Sequence, residues 1–208
     1  MVGYQYESSF KADHLTKILF TKAHILCHDF NRVTKGASHL DFVAGSSHAD
    51  LIWYEPFSVR YNRINKNGLI NPSAVLDVKW IPGSENLFLA AHKDGSLVVY
   101  DKEREDAAFV PEARTTNGRI SHEVEDEAPR LHIRKSINST NQKTNPVASW
   151  KLSDQKINAF AISPDNRHLA VASQDGNLRI IDYLNEKYRL STLPSFYTNE
   201  TQASRCIS

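Results

Sequence analysis

The chain has 208 residues, with 25 Lys and Arg against 24 Asp and Glu, which gives a formal net charge of +1. This balance excludes a nucleic-acid-binding surface spread over the whole chain, and the 40% of hydrophobic residues excludes a wholly disordered one. The longest apolar runs are about five residues, against the roughly 20 that a membrane span requires, so no span is predicted.

The first repeating unit is predicted over residues 20–66, after a poorly defined N-terminal segment, 1–19. Its first strands are predicted at 23–27 and 40–45. Residues 41–55, DFVAGSSHADLIWYE, follow as an apolar run, a short polar turn and a second apolar run. That pattern is typical of a β-hairpin, and a more polar strand at 58–64 completes the unit.

The second unit is predicted over residues 74–152. A strand at 76–80 ends in a turn that contains Pro and Gly, which disrupt strand pairing. The hairpin at 87–101, LFLAAHKDGSLVVYD, turns at Asp94 and Gly95, which we interpret as a two-residue turn. Gly tolerates positive φ and the Asp side chain bonds the turn amides, so both residues are assigned a structural role.

An insertion is predicted at 103–145, between the third strand and the fourth strand (146–152) of this unit. Leu51 and Leu97 of the first two hairpins are 46 residues apart, whereas Asp94 and Asp175 of the last two are 81 apart. The extra residues are polar and contain the acidic run EVEDE, so we predict a disordered loop. Two interpretations of the charged runs in this insertion stay open. They are sites of interaction or phosphorylation, or they are parts of a solvated linker.

The third unit is predicted over residues 156–190. A strand at 158–162 precedes the hairpin at 168–182, HLAVASQDGNLRIID, which matches the second hairpin position by position and turns at Asp175 and Gly176. The fourth strand, at 187–190, is poorly defined. The tail at 191–208 lacks the pattern, which leads us to expect a truncated product.

Four short strands per unit of about 40 residues predict an all-β fold, a partial β-propeller of about three four-stranded blades. The units resemble WD repeats: the endings VYD at 99–101 and IID at 180–182 stand where that family has its Trp-Asp pair. Asp94 and Asp175 match the family's turn Asp. The family's Gly-His pair is absent, so an incomplete hydrogen-bond network is expected.

Longer strings narrow the resemblance. WYEP (53–56), RINKNG (63–68) and the segments 79–106 and 157–183 are similar to the fungal catabolite-repression CreC family and to its animal relatives that activate ubiquitin-specific proteases. The resemblance covers roughly residues 20–190. It implies a seven-bladed propeller without catalysis that binds a deubiquitinase of the ubiquitin-specific class and acts in carbon catabolite repression, in the cytoplasm, the nucleus or both.

A metal site is one interpretation of His24, Cys27 and His28, since both residue types bind zinc and the spacing suits one helix face. The competing interpretation is a strand, in which neighbouring residues alternate between faces and the three do not converge. The strand is preferred, and neither a metal nor another cofactor is predicted. No catalytic residue is assigned, because the sequence lacks the motifs of the common hydrolases and phosphate-binding loops.

A partner-binding face is predicted at the hairpin turns, because such turns form one face of a propeller. Its candidate residues are His92, Lys93, Ser173 and Gln174. Among the tryptophans, Trp53 and Trp80 are predicted in the core, whereas Trp150, on a fourth strand, is the most open to a surface role.

Three functional hypotheses follow. The first is a scaffold that binds and stabilises a deubiquitinase. The second is a general WD-repeat interaction module with no link to ubiquitin. The third is a non-functional truncated product, whose unpaired strand edges predict aggregation.

Overall fold

The computed structural model describes residues 16–109, 132–135, 143–185 and 187–190. These residues form strands and one single-turn 3₁₀ helix, Lys66–Gly68. The described part contains no helix long and apolar enough to cross a membrane. The strands are β1 (Ile25–Phe30), β2 (Phe42–Ser46), β3 (Leu51–Glu55), β4 (Arg60–Ile64), β5 (Val75–Trp80), β6 (Leu87–His92), β7 (Ser96–Asp101), β8 (His132–Lys135), β9 (Ala148–Lys151), β10 (Ile157–Ile162), β11 (His168–Ser173), β12 (Leu178–Asp182) and β13 (Lys187–Leu190).

The strands form three antiparallel sheets, which confirms the predicted all-β fold class. The orders are β1-β2-β3-β4 in the first sheet, β5-β6-β7-β9-β8 in the second and β10-β11-β12-β13 in the third. In each sheet successive strands are neighbours, apart from β8, which adds to the outer edge beside β9. This is the strand order of propeller blades, with β1, β5 and β10 as the first strand of each blade.

The three sheets are equivalent down to an irregularity. The register between the first and second strand shifts at the same place in each sheet, after the first residue of the first strand. An extra residue at this point bends the strand and increases its twist. The shifts lie at Ile25/Cys27, Val75/Asp77 and Ile157/Ala159.

Each sheet has two different faces, which we call front and back. The front face carries the last residue of the first strand and its cross-strand partners, and the back face carries the neighbouring row. The front rows are Phe30–Phe42–Tyr54, Trp80–Phe88–Tyr100 and Ile162–Leu169–Ile181. The back rows are Asp29–Val43–Trp53, Lys79–Leu89–Val99 and Ala161–Ala170–Ile180.

The core lies between the sheets, where the back of one blade packs on the front of the next. Val43 and Trp53 of the first sheet share one buried cluster with Phe88 and Tyr100 of the second. A second cluster joins the back of the second sheet to the front of the third. Since burying a large apolar side chain contributes about 1.5–3 kcal/mol, these two junctions hold the sheets together.

The observed boundaries correct two expectations. The first strands begin at Ile25 and Phe42, two residues later than predicted. Strand β8 lies inside the segment predicted as disordered. At the end of that segment Asn145 is fully buried, and its side chain bonds the amide and carbonyl of Asp101. The prediction of disorder rested on polar composition. A polar amide side chain can nevertheless be buried when backbone groups of the preceding strand satisfy its hydrogen bonds.

Trp150 is also corrected. It is only 1% exposed, although a surface role had been its most open interpretation. The third sheet covers it, and its ring meets Tyr183 edge-on at 6.2 Å. Trp53 and Trp80 are buried as predicted.

Candidate partner-binding face

The hairpin turns between second and third strands have three residues, so the predicted two-residue turn is wrong. Ala91 pairs with Leu97, and Ala172 pairs with Leu178. One more pair of residues follows in each hairpin, which leaves three residues in the loop. The third loop residue, Gly95 or Gly176, has φ of +85° or +79°, whereas the preceding Asp does not have a positive φ. This is a type I turn closed by a glycine in the left-handed region. In the first sheet Ala49, with φ of 71°, takes the same place.

The three loops lie at one end of the blades. In each, the first loop amide donates a hydrogen bond of 2.8–2.9 Å to the carbonyl of the residue just before the first strand. This bond fixes each loop beside the start of its blade. The pairs are Ser47 to His24, Lys93 to Ala74 and Gln174 to Lys156. We call the surface formed by loops 47–49, 93–95 and 174–176 the hairpin face.

The carboxylates of Asp94 and Asp175 connect these loops by hydrogen bonds to the segment that precedes the first strand of the same blade. Asp94 accepts hydrogen bonds from the Ser96 amide and hydroxyl and from the Asn71 side chain. Burial opposes the ionisation of Asp94, but these bonds and nearby Lys151 lower its pKa. The structural role assigned to Asp94, a carboxylate that orders its turn, fits this geometry. The expected incomplete network is in fact satisfied, with Asn71 donating to the carboxylate.

Asp175 makes the equivalent arrangement in the third sheet. The guanidinium of Arg179 donates to both carboxylate oxygens, the closer at 2.6 Å, and the Ser153 hydroxyl donates at 2.8 Å. Hydrogen bonds from Arg179 outweigh burial and lower the pKa of Asp175. Asn71 and Ser153 each lie four residues before the first strand, so the two links are repeat equivalents.

Only half of the predicted partner-face residues lie at the surface. Lys93 and Gln174 are exposed at the first position of their loops. His92 is 0% exposed: one ring nitrogen lies 2.9 Å from the Ser73 carbonyl and the other 3.1 Å from the Tyr100 hydroxyl. Ser173 is buried too, and its hydroxyl accepts a bond from Arg179. His92 and Ser173 are therefore removed from the partner face, and Lys93 and Gln174 stay a prediction.

Sequence analysis missed a buried ionic site centred on Asp41. Its carboxylate is fully buried and accepts hydrogen bonds from the Trp53 indole at 2.7 Å, from Thr34 at 2.7 Å and from Lys102 at 2.8 Å. Burial raises the cost of this charge, but the donors outweigh it and lower the pKa of Asp41 to about 2. Lys102 directly follows β7 of the second sheet, so the site bridges two blades.

Glu55 ends β3 at the position where the other blades have Asp101 and Asp182. It is 2% exposed and accepts bonds from the Phe57 amide at 3.1 Å and from the amide and hydroxyl of Ser58. Burial alone would raise the pKa of Glu55, but these bonds outweigh it and lower the pKa to about 2. Asp101 and Asp182 likewise each accept a bond from an amide of the following turn, Glu103 or Asn185.

The low pKa values of Asp41 and Glu55 predict acid sensitivity. A folded-state pKa below the unfolded value stabilises the fold above the unfolded pKa, about 4, and that stability is lost as the pH falls towards 2. Between pH 6 and pH 2.5, the free energy of unfolding of Glu55→Gln should fall by about 1–2 kcal/mol less than that of the wild type. Urea unfolding at several pH values in this range measures the free energy of unfolding of both proteins. If it falls equally with pH in the two proteins, the lowered pKa of Glu55 is contradicted.

At the opposite end of the blades lies a cavity of about 500 Å³, formed where β1, β5 and β10 end. Phe30, Val33 and Ile162 give it an apolar lining, and Arg32 and Lys79 add two cations. Nothing in its lining groups a nucleophile with a general base.

The three residues of the rejected metal interpretation do not converge. In β1, burial alternates strictly; Cys27 is half-buried against the second sheet, with Sγ 3.7 Å from the Val75 carbonyl, while His28 is exposed on the other face beside Phe42. Burial raises the pKa of the Cys27 thiol to about 12, so it is not a thiolate at neutral pH. The described part of the chain contains no group of three or more His, Cys, Asp or Glu that could hold a metal.

Comparison with known proteins adds the family of the repeat. Residues 144–182 match the family "WD domain, G-beta repeat". The chain therefore carries a WD repeat, and with its three blade-like sheets it is a partial WD-repeat β-propeller.

One curated relative is the UBP9-binding protein bun62 of Schizosaccharomyces pombe. It is 36% identical over 191 residues, which is 90% of this chain and 34% of that protein. The chain thus spans about a third of the length of the curated relative it matches. Among solved structures, the crystal structure of the computationally designed Ika4 protein matches with a TM-score of 0.49 and 12% identity, over 86% of this chain and 79% of that one.

Proposed function

We propose that this chain is part of a non-catalytic WD-repeat scaffold that binds a ubiquitin-specific protease. The observation that carries the proposal is the 36% identity to a protein named for binding UBP9, spread over 90% of this chain. An alignment that covers 90% of the chain reaches all three blades.

The chemistry of the described residues supports binding more than catalysis. The carboxylates with lowered pKa values, such as Asp41, Glu55 and Asp175, accept hydrogen bonds from side chains and backbone amides of this same chain. The one described cysteine, Cys27, has a raised pKa. A rigid β scaffold with exposed loops at one end is suited to hold a partner.

Stabilisation of the protease would follow from mass action. A scaffold that binds only the folded protease adds about 2.7 kcal/mol at a hundredfold excess over Kd. The unfolded fraction falls, and degradation through that fraction slows. Within this proposal, the hairpin face supplies contacts through Lys93 and Gln174, and the finer role is the one of the CreC family, in carbon catabolite repression.

The test uses the purified chain and a purified ubiquitin-specific protease from the same organism. We expect a complex in a pull-down and a higher melting temperature of the protease when the chain is present. Lys93→Glu with Gln174→Glu should weaken the complex at least tenfold. Lys35→Glu, which is also exposed but lies at the opposite end of the blades, is the matched control and should leave the affinity unchanged.

Two results would contradict parts of this proposal. If the protease does not bind but other cellular proteins do, the chain is a general interaction module. If the protease binds equally well to the double variant, the hairpin face is not the contact surface.

A further inference from the structure

The second sheet has a fifth strand that the other two sheets lack in the described part of the chain. Strand β8 pairs antiparallel with β9 and lies at the outer edge of the sheet. The outermost strands of the first and third sheets, β4 and β13, each have a single neighbour among the described strands. The fifth strand is therefore an addition to the four strands that the three blades share.

The second blade is complete without the insertion that carries β8. The chain leaves the blade after Asp106 and returns at Asn145, and these two residues form a parallel bridge. The Asn145 amide donates to the Glu105 carbonyl at 2.9 Å, and the Asn145 side chain donates to the Asp106 carboxylate at 3.2 Å. Directly afterwards β9 pairs with β7. Because these bonds hold the two ends of the insertion together, β9 takes its place in the blade without help from β8.

The attachment of β8 to the blade is short and irregular. The strand has four residues, and its register with β9 shifts between Ile133 and Lys135. The pairing with β9 is its main contact with the rest of the described structure. Segments at an edge with few contacts open at a much lower free energy than the core unfolds. We therefore expect β8 to leave the edge while the blade stays folded. The pairs that would be lost are His132–Lys151, Ile133–Trp150 and Lys135–Ser149.

The edge of β9 that would become free is suited to an extended peptide. An edge strand presents unpaired N–H and C=O groups, and these groups bind the backbone of another strand. Strand β9 is itself firmly held: Ala148 and Trp150 are buried, and both belong to the core between the second and third sheets. The outer edge of a blade faces the perimeter of a propeller and not a neighbouring blade, so further blades would not cover it.

We propose that the outer edge of β9 is a strand-binding site for an extended peptide and that β8 is its internal, displaceable occupant. The peptide that fits has the chemistry of β8 itself, an aliphatic residue among basic ones as in HIRK (132–135), and it binds antiparallel to β9. Because β8 is tethered to the blade, its effective concentration at the edge is on the order of millimolar. The site is therefore closed in the free chain, and a peptide gains access when β8 is displaced.

The test uses the full chain and a fluorescent peptide of residues 129–138, PRLHIRKSIN, as the probe. Ile133→Pro in the chain disrupts β8, because proline lacks the N–H group and the four-residue strand has no room for it. In a fluorescence anisotropy titration, this variant should bind the peptide at least about tenfold more tightly than the wild type. Thr140→Pro, which places a proline in the insertion outside β8, is the matched control and should bind the peptide as weakly as the wild type.

Three results would overturn the inference. The first is equal binding of the peptide to the wild type and to Ile133→Pro, or no binding to either. The second is equal binding of a peptide that itself carries Ile133→Pro, because such a peptide cannot add as a regular strand. The third is loss of the folded circular dichroism spectrum in the Ile133→Pro chain, because it would show that the blade needs β8 to fold.

This inference does not depend on the proposed function. The peptide titration contains no protease, so the strand-binding site can fail while the protease still binds, and binding to the protease can fail while the peptide binds.

Discussion

Replacing Gly95 with alanine is expected to lower the free energy of unfolding by about 3 kcal/mol. Gly95 has φ of +85°, a conformation that costs an alanine about 1 kcal/mol. A Cβ at this position would also lie 2.1 Å from the Ser153 carbonyl oxygen and 2.5 Å from that of Gln155. Both obstacles are backbone atoms in the connection to the third sheet, so neither moves without shifting that connection.

Gly176 provides the matched control. It stands at the same loop position in the third sheet, with φ of +79°, but a Cβ there would meet nothing within 4 Å. Gly176→Ala should therefore lose only the conformational part, about 1 kcal/mol. Urea unfolding of both variants measures the difference. Equal losses would show that Gly95 is needed only for its φ and that the contact with the connection does not matter.

Removing the buried charge of Asp41 is expected to cost about 3–5 kcal/mol. Asp41→Ala leaves Lys102, whose side chain is 9% exposed, without its carboxylate, and the Trp53 indole without its acceptor. The Lys102 ammonium lies 5.3 Å from the centre of the Trp53 ring and 5.9 Å from that of Trp80, between the first two sheets. An unpaired cation there would weaken the junction between the two blades.

Two further variants test this explanation. Asp41→Asn combined with Lys102→Met removes both charges, and it should be more stable than Asp41→Asn alone, because no buried cation is left unpaired. Asp154→Ala is the exposed control: Asp154 is fully exposed and 3.8 Å from Lys151, so its loss should leave the stability nearly unchanged. If the double variant is no more stable than Asp41→Asn, the buried charge of Lys102 is not the cause.

Much of the fold could be predicted from the sequence, because strands and hairpins depend on local patterns. Alternating apolar residues around a short polar turn placed the three units, with an Asp-Gly pair in the second and third, and the sheets of the structure follow them. The same reasoning identified Asp94 and Asp175 as turn residues. It misjudged the turn length, because a two-residue and a three-residue hairpin share the same Asp-Gly signature and differ only in which residues pair across it.

The Asp41 site could not be predicted in the same way. Its donors, Thr34, Trp53 and Lys102, lie 7, 12 and 61 residues away along the chain. In the sequence Asp41 is one acidic residue near the start of the predicted strand 40–45, with no sign of its partners. Only the packing of the second sheet against the first brings Lys102 to it.

Local patterns in the sequence were sufficient to predict three β-sheet units, because a period of two and a turn signal are properties of neighbouring residues. The fifth strand of the second sheet, β8, was not predicted. Which face of each unit is buried was decided only by the tertiary structure. Phe30 and Trp80, or Val99 and Ile180, hold the same positions in their repeats, yet one of each pair is exposed and the other is buried. The physical reason is that burial belongs to a contact between two surfaces, and the second surface is not encoded in the strand itself.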